Sequence, residues 1–194
     1  MQNNVRKTVL TLLFILVMLF SAASAEQVEL VVDGNRYTME IPEEYAVYTS
    51  ALGKDSPYVK FTGYEETGVL DDYMKGLGCC LVGVERTYYH QIWLSIKDRS
   101  EGLGQNPEER MIRAYYDGVA MGRGAYTVEQ YNGHDYYVFA SGESIYENGI
   151  NYYISTFFGS YEVALRWESE TGKRTDEDIE LLKAIIHSVQ PVNE

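Results

Sequence analysis

From residue 26 onward the chain is dominated by alternation of apolar and polar positions. Val28, Leu30 and Val32 alternate with Gln27, Glu29 and Val31. Asp33-Gly34-Asn35 then forms a turn, and Tyr37, Met39 and Ile41 alternate on the way back, a hairpin pattern that Pro42 ends. Residues 43–65 contain Gly53, Pro57 and Gly63 and show no clean period, so they read as loop with short turns. Val69, Leu70, Tyr73, Met74 and Leu77 recur at three- and four-residue intervals and predict a helix over 66–77. Strands are predicted at about 79–85 and 90–97, with Ile92, Leu94 and Ile96 on one face and Gln91, Trp93, Ser95 and Lys97 on the other.

Asn106-Pro107-Glu108-Glu109 has the cap, first-turn proline and acid of a helix start, and Gly122-Arg123-Gly124 a stop, which predicts a helix to about Met121. A meander follows, with strands at 126–131, 136–141, 150–158 and 161–168 separated by Asn132-Gly133-His134, Glu147-Asn148-Gly149 and Gly159-Ser160. The last helix opens on a capping box, Thr175 with Asp178, and carries one stripe of Ile179, Leu182, Ile185, Ile186 and Val189. The sum is an α+β domain with a largely antiparallel sheet and helices packed on it. Neither a linker nor an internal repeat divides it, so residues 26–194 are expected to be a single domain.

The first 25 residues follow a different rule. Arg6 and Lys7 precede an apolar run from Val9 to Phe20, about a dozen residues against the roughly 20 that a membrane span needs. Ser21-Ala22-Ala23-Ser24-Ala25 supplies small residues at the positions a signal peptidase reads. Residues 1–25 are therefore expected to be a signal peptide cleaved after Ala25, and the mature protein to be secreted. No cysteine follows the apolar run, which argues against a lipid anchor, and no stable membrane insertion is expected after cleavage.

The charge sharpens this picture. The chain has 29 acidic and 16 basic residues, and both bases of the leader leave with it. So acidic a domain is repelled by anionic polymers and membrane surfaces, which excludes nucleic acid as a partner on electrostatic grounds. Cys79 and Cys80 are adjacent and close no useful loop, so they do not staple the fold; as strand neighbours they should point to opposite faces, one buried and one outward.

The order of strand, "IPEEY" at 41–45, helix, hairpin, helix, strand meander and a "TDEDIELLKAIIHSV" helix at 175–189 resembles the Mog1/PsbP-like α/β/α sandwich of small exported bacterial proteins. The resemblance covers roughly 28–190. Members of that fold are mostly binding or assembly proteins, so it implies a non-enzymatic role; their particular functions do not transfer with the fold.

Catalytic patterns are thin. There is no Gly-x-Ser-x-Gly elbow, and Ser141-Gly142-Glu143-Ser144 lacks that pattern. A Cys79 or Cys80 nucleophile with His90 is conceivable across a hairpin, with nothing else to support it. His134 sits in a turn, and His187 in the last helix near its C-terminus, where a positive charge suits the dipole. Asp71-Asp72 and Asp176-Glu177-Asp178 lack calcium-loop spacing, and the glycine pairs at 76/78, 102/104 and 122/124 lack a phosphate-loop context. No catalytic residue, metal ligand or cofactor is assigned, and the enzyme question leans to no.

Tyrosine stands out, at 18 of 26 aromatic residues, with adjacent pairs at 88–89, 115–116, 136–137 and 152–153. On a strand each pair places one ring on each face, as a sheet covered on both sides requires. Exposed tyrosines also make good binding surfaces. The leading expectation is a secreted, non-enzymatic binding or assembly module for a protein or envelope component, using a sheet edge or tyrosine-bearing loops. Its candidate binding residues are Tyr88, Tyr89, His90 and Trp93. The alternative is a small-ligand or glycan binder using exposed Tyr and Trp, and a hydrolase with an unrecognised site ranks third.

Overall fold

A computed structural model of the chain describes residues 25–87, 90–101, 126–143, 150–169 and 175–192. The leader, Tyr88, Tyr89, the helix expected from 106 and the turn at 147–149 lie outside the described residues.

The first hairpin forms as its pattern dictates. β1 (Ala25–Val32) pairs antiparallel with β2 (Asn35–Pro42), and Asp33 and Gly34 both take positive φ, the twist that a two-residue Asp-Gly turn needs. A strand, a 3-10 turn (Gly53–Asp55) and a short helix then occupy the stretch read as loop. β3 (Tyr45–Tyr48) is buried at all four positions, so it has no alternation to read. α1 (Pro57–Thr62) is a short helix with Ser56 as cap, Pro57 in its first turn and Gly63 in the left-handed conformation at its end. α2 (Thr67–Leu77) closes on Gly78, also left-handed.

β4 (Leu81–Glu85) and β5 (Gln91–Asp98) make the next hairpin. The meander runs through β6 (Tyr126–Tyr131), β7 (His134–Glu143), β8 (Ile150–Phe158) and β9 (Tyr161–Ser169). α3 (Asp176–His187) has the expected capping box, with Thr175 and Asp178 each bonded to the other's backbone. β10 (Gln190–Pro191) then returns to β2.

Seven strands form one antiparallel sheet in the order β3-β4-β5-β9-β8-β7-β6, and β1, β2 and β10 form a second sheet. One face of the large sheet carries Ile92, Leu94, Ile96, Val163, Leu165 and Trp167, and packs against the small sheet and the apolar stripe of α3. The other face carries Tyr48, Val82 and Trp93 and packs against Val59 of α1 and Leu70 and Met74 of α2. Tyr136 and Tyr152 fill the first core, while their neighbours Tyr137 and Tyr153 stand on the opposite face, as strand alternation requires. Cys80 packs against the first core and Cys79 against the second. The outward-facing thiol expected from the sequence is partly covered by this second apolar layer.

Gly83 shows how closely the sheet packs. A Cβ built there lies 2.8 Å from Ile92 Cγ1 and 3.0 Å from Val47 Cγ1, both in the core of neighbouring strands. Gly83→Ala is therefore expected to destabilise the protein by about 1–3 kcal/mol through overpacking. Urea unfolding measures it, as a lower midpoint at unchanged slope.

Candidate functional site

Of the expected binding residues, Tyr88 and Tyr89 lie outside the described residues, and His90 and Trp93 are not brought together. His90 and Trp93 are three positions apart on one extended segment, so their side chains leave opposite faces of the sheet. His90 is buried on the α3 side, its ring edge-on to Trp167 at 4.9 Å and its Nδ1 4.0 Å from Asp178 Oδ1. Trp93 is only 7% exposed and belongs to the α2 side. Trp167 is fully buried, so neither indole is the exposed platform that a glycan site of Tyr and Trp calls for. Cys80 donates its amide to Leu94 O, four residues or roughly 14 Å along the strand from His90, too far for a thiol–imidazole pair. Burial also pushes the Cys80 thiol up to about 12 and raises Cys79, which removes thiolate character from both.

A different region gathers exposed and charged groups. α2 carries apolar residues around a wider arc than its core contact uses. Leu70 and Met74 are buried, whereas Val69, Tyr73 and Leu77, spaced i, i+4, i+8 on one face, are 54%, 56% and 37% exposed. Tyr64, just before the helix, is exposed as well. The sequence signal for this surface was the five-residue apolar set in α2, which the helix splits between core and solvent.

Beside the helix lies a cleft of roughly 750 Å3 between α2, the β1–β2 turn and the end of β5. Asp33, Asp71, Asp72 and Asp98 line it, with Lys75 and Lys97 among them. Asp71 is fixed: it accepts hydrogen bonds from Tyr48 Oη at 2.8 Å and Ser50 Oγ at 2.6 Å, which tether α2 to β3 and the loop after it. Burial, with that bond to Asp71, pushes the Tyr48 hydroxyl up to about 12, so it stays a donor at any physiological pH. Lys97 lies across Gly78 and donates to Leu77 O at 3.5 Å, placing a cation on the C-terminal end of the α2 dipole. A Cβ at Gly78 would sit 2.5 Å from Lys97 Cε, so glycine serves both the left-handed turn and this approach.

At the cleft's edge the buried Glu162 carboxylate takes two nitrogens of Arg99, Nε at 2.7 Å and a terminal one at 2.6 Å, and the Tyr153 hydroxyl at 3.1 Å. This is a charge-assisted clamp between the end of β5 and β9. Among the described residues no group of three His, Cys, Asp or Glu side chains is placed to hold a metal. What the described residues present here is an exposed apolar ridge beside a cleft lined by Asp33, Asp71, Asp72 and Asp98 and by Lys75, Lys97 and Arg99.

Comparison with known proteins shows the fold. The solution structure of cyanobacterial PsbP (CyanoP) from Synechocystis sp. PCC 6803 superimposes with a TM-score of 0.51 at 12% identity, covering 89% of this chain and 95% of that one. The chain thus has a PsbP-like α+β fold, as its element order suggested. No family model matches it, and no curated protein matches it.

At the far end of the large sheet, His187 of α3 stacks on Tyr131 at 4.0 Å and meets Tyr136 edge-on at 4.4 Å. Burial lowers its pKa; Glu129 and Glu180 pull it up and Lys183 pushes it down. The folded state therefore binds this proton less readily than the unfolded chain, so the His187 contribution is intact above about pH 6.5 and is lost as pH falls below it. His187→Gln is expected to lose less stability than the native protein between pH 7.5 and pH 5.5, as read by urea unfolding at the two values.

Proposed function

We propose that the protein is an exported, non-enzymatic binding module that docks a protein partner on the α2 ridge of Val69, Tyr73 and Leu77. The single observation carrying this reading is that ridge: three large apolar side chains in line, exposed on a helix whose other face is already anchored in the core. Singly scattered apolar residues need no explanation, but an aligned set with a tyrosine at its centre is the composition of an interaction surface. The flanking Asp71 and Asp72, within a chain of net charge −13, favour a partner segment that presents basic residues around an apolar strip. The reading of residues 1–25 as a cleaved leader places that partner outside the cytoplasm, among envelope or secreted proteins. The absence of an activated nucleophile among the described cysteines, and the separation of His90 from them, supports binding over hydrolysis.

The test uses the purified protein as bait against the envelope and secreted fraction of its source, with two variants. A Val69→Ser/Tyr73→Ser double variant is expected to stay folded, because both side chains are exposed, and to weaken the recovered complex by at least about tenfold. Val31→Ser, at an equally exposed apolar position on β1, is expected to leave it unchanged. Equal recovery by all three forms, or no stoichiometric partner for any, overturns the reading.

A further inference from the structure

Two buried hydrogen-bond donors stand side by side on the α2 face of the sheet with nothing to donate to. Trp93 and Arg166 are register partners across β5 and β9, and the Arg166 guanidinium carbon lies 5.6 Å from the centre of the Trp93 ring. Trp93 Nε1 and Arg166 Nε are both withdrawn from solvent and have no hydrogen-bond partner. The other buried indole nitrogen, Trp167 Nε1, is on the opposite face, where it meets the Tyr45 hydroxyl, and has no part in this pair.

An orphaned buried donor is costly, and two on adjacent side chains call for a common acceptor. Glu168 is the nearest anion, with Oε1 3.4 Å from Arg166 Nε, but it forms an ion pair there without hydrogen-bond geometry. The edge of a guanidinium offers two parallel N–H groups that match a planar carboxylate, and the indole N–H adds a third donor.

We infer that Trp93 and Arg166 form a binding site for a small carboxylate, closed in this structure by Tyr73. Tyr73 meets the Trp93 ring edge-on at 5.9 Å while more than half of its own surface is exposed. A side chain so exposed changes rotamer on the picosecond-to-nanosecond scale, so it is a cheap gate over the indole. The carboxylate takes the Arg166 fork and the Trp93 N–H, and Glu168 turns out toward solvent. This site stands on the orphaned donors and does not depend on the partner-docking role of the ridge.

Nuclear magnetic resonance of the two indole N–H groups tests it, since the chain has only two tryptophans and Trp167 serves as internal reference. Acetate and succinate, titrated at constant ionic strength against chloride, are expected to move the Trp93 indole signal downfield to saturation and leave Trp167 in place. Arg166→Gln is expected to weaken the effect about tenfold or more. Tyr73→Ala, a surface change that removes the gate without touching the donors, is expected to bind at least as tightly, and it keeps the test valid if Arg166→Gln does not fold. No saturable shift up to tens of millimolar in either the native protein or Tyr73→Ala overturns the site. So does an equal shift with chloride, or undiminished binding by a folded Arg166→Gln. Binding of inorganic phosphate with acetate and succinate silent overturns the carboxylate assignment.

Discussion

β5 and β9 are more than sixty residues apart in the chain, yet they pair over eight consecutive positions, from Gln91 with Glu168 to Asp98 with Tyr161. Among the described strands, this is the one ladder that joins β3 and β4 to the β6–β9 meander. Each side of it carries a core: Ile92, Leu94, Val163 and Leu165 against the small sheet and α3, and Trp93 with Arg166 on the α2 side. Such a pairing must overcome the entropy of closing a long loop before its contacts return anything. The two apolar layers supply that return. The Arg99–Glu162 clamp and the Lys97 cap on α2 then fix the end of β5, where the cleft lies.

The candidate surfaces follow from this arrangement. α2 must present Leu70 and Met74 to Trp93 and Val82, and that orientation turns Val69, Tyr73 and Leu77 outward. The Tyr48–Asp71 and Ser50–Asp71 bonds hold the helix backbone at that angle. The same packing leaves the donors of Trp93 and Arg166 without acceptors beneath Tyr73. The proposed binding face and the proposed ligand site thus lie side by side where one helix docks on the sheet.

Much of the architecture was legible in local patterns. The Asp33-Gly34 and Asn132-Gly133 turns take the positive φ their residues favour, and Thr175 with Asp178 caps α3 as its spacing announced. The alternation of β5 assigned its faces correctly, and the order of elements pointed to a PsbP-like fold. β3 was hidden because Tyr45–Tyr48 is buried on both sides and has no period, and α1 because six residues are too few to show one. The placement of His90 and Trp93 was harder to read, for a physical reason. Tyr88, Tyr89, His90 and Trp93 are adjacent in sequence, but strand geometry sends His90 and Trp93 to opposite faces, a consequence of period two that three-residue spacing already contained. Tyr88 and Tyr89 lie outside the described residues. Apolar spacing in α2 marked a helix without saying which of its apolar residues the core would leave uncovered, and the Arg166–Trp93 contact depends on a pairing between distant strands that no local pattern records.

The central claim is that the β5–β9 ladder makes the two halves of the large sheet one cooperative unit. Native-state amide hydrogen exchange tests it most directly, because it reads the opening free energy of each strand. The account predicts that the amides of Ile92–Ile96 and Val163–Trp167 are the slowest in the chain and share one free energy, equal to that of global unfolding. Exchange of β4–β5 and of β7–β8 at two well-separated free energies, with β9 following only the meander, would contradict it.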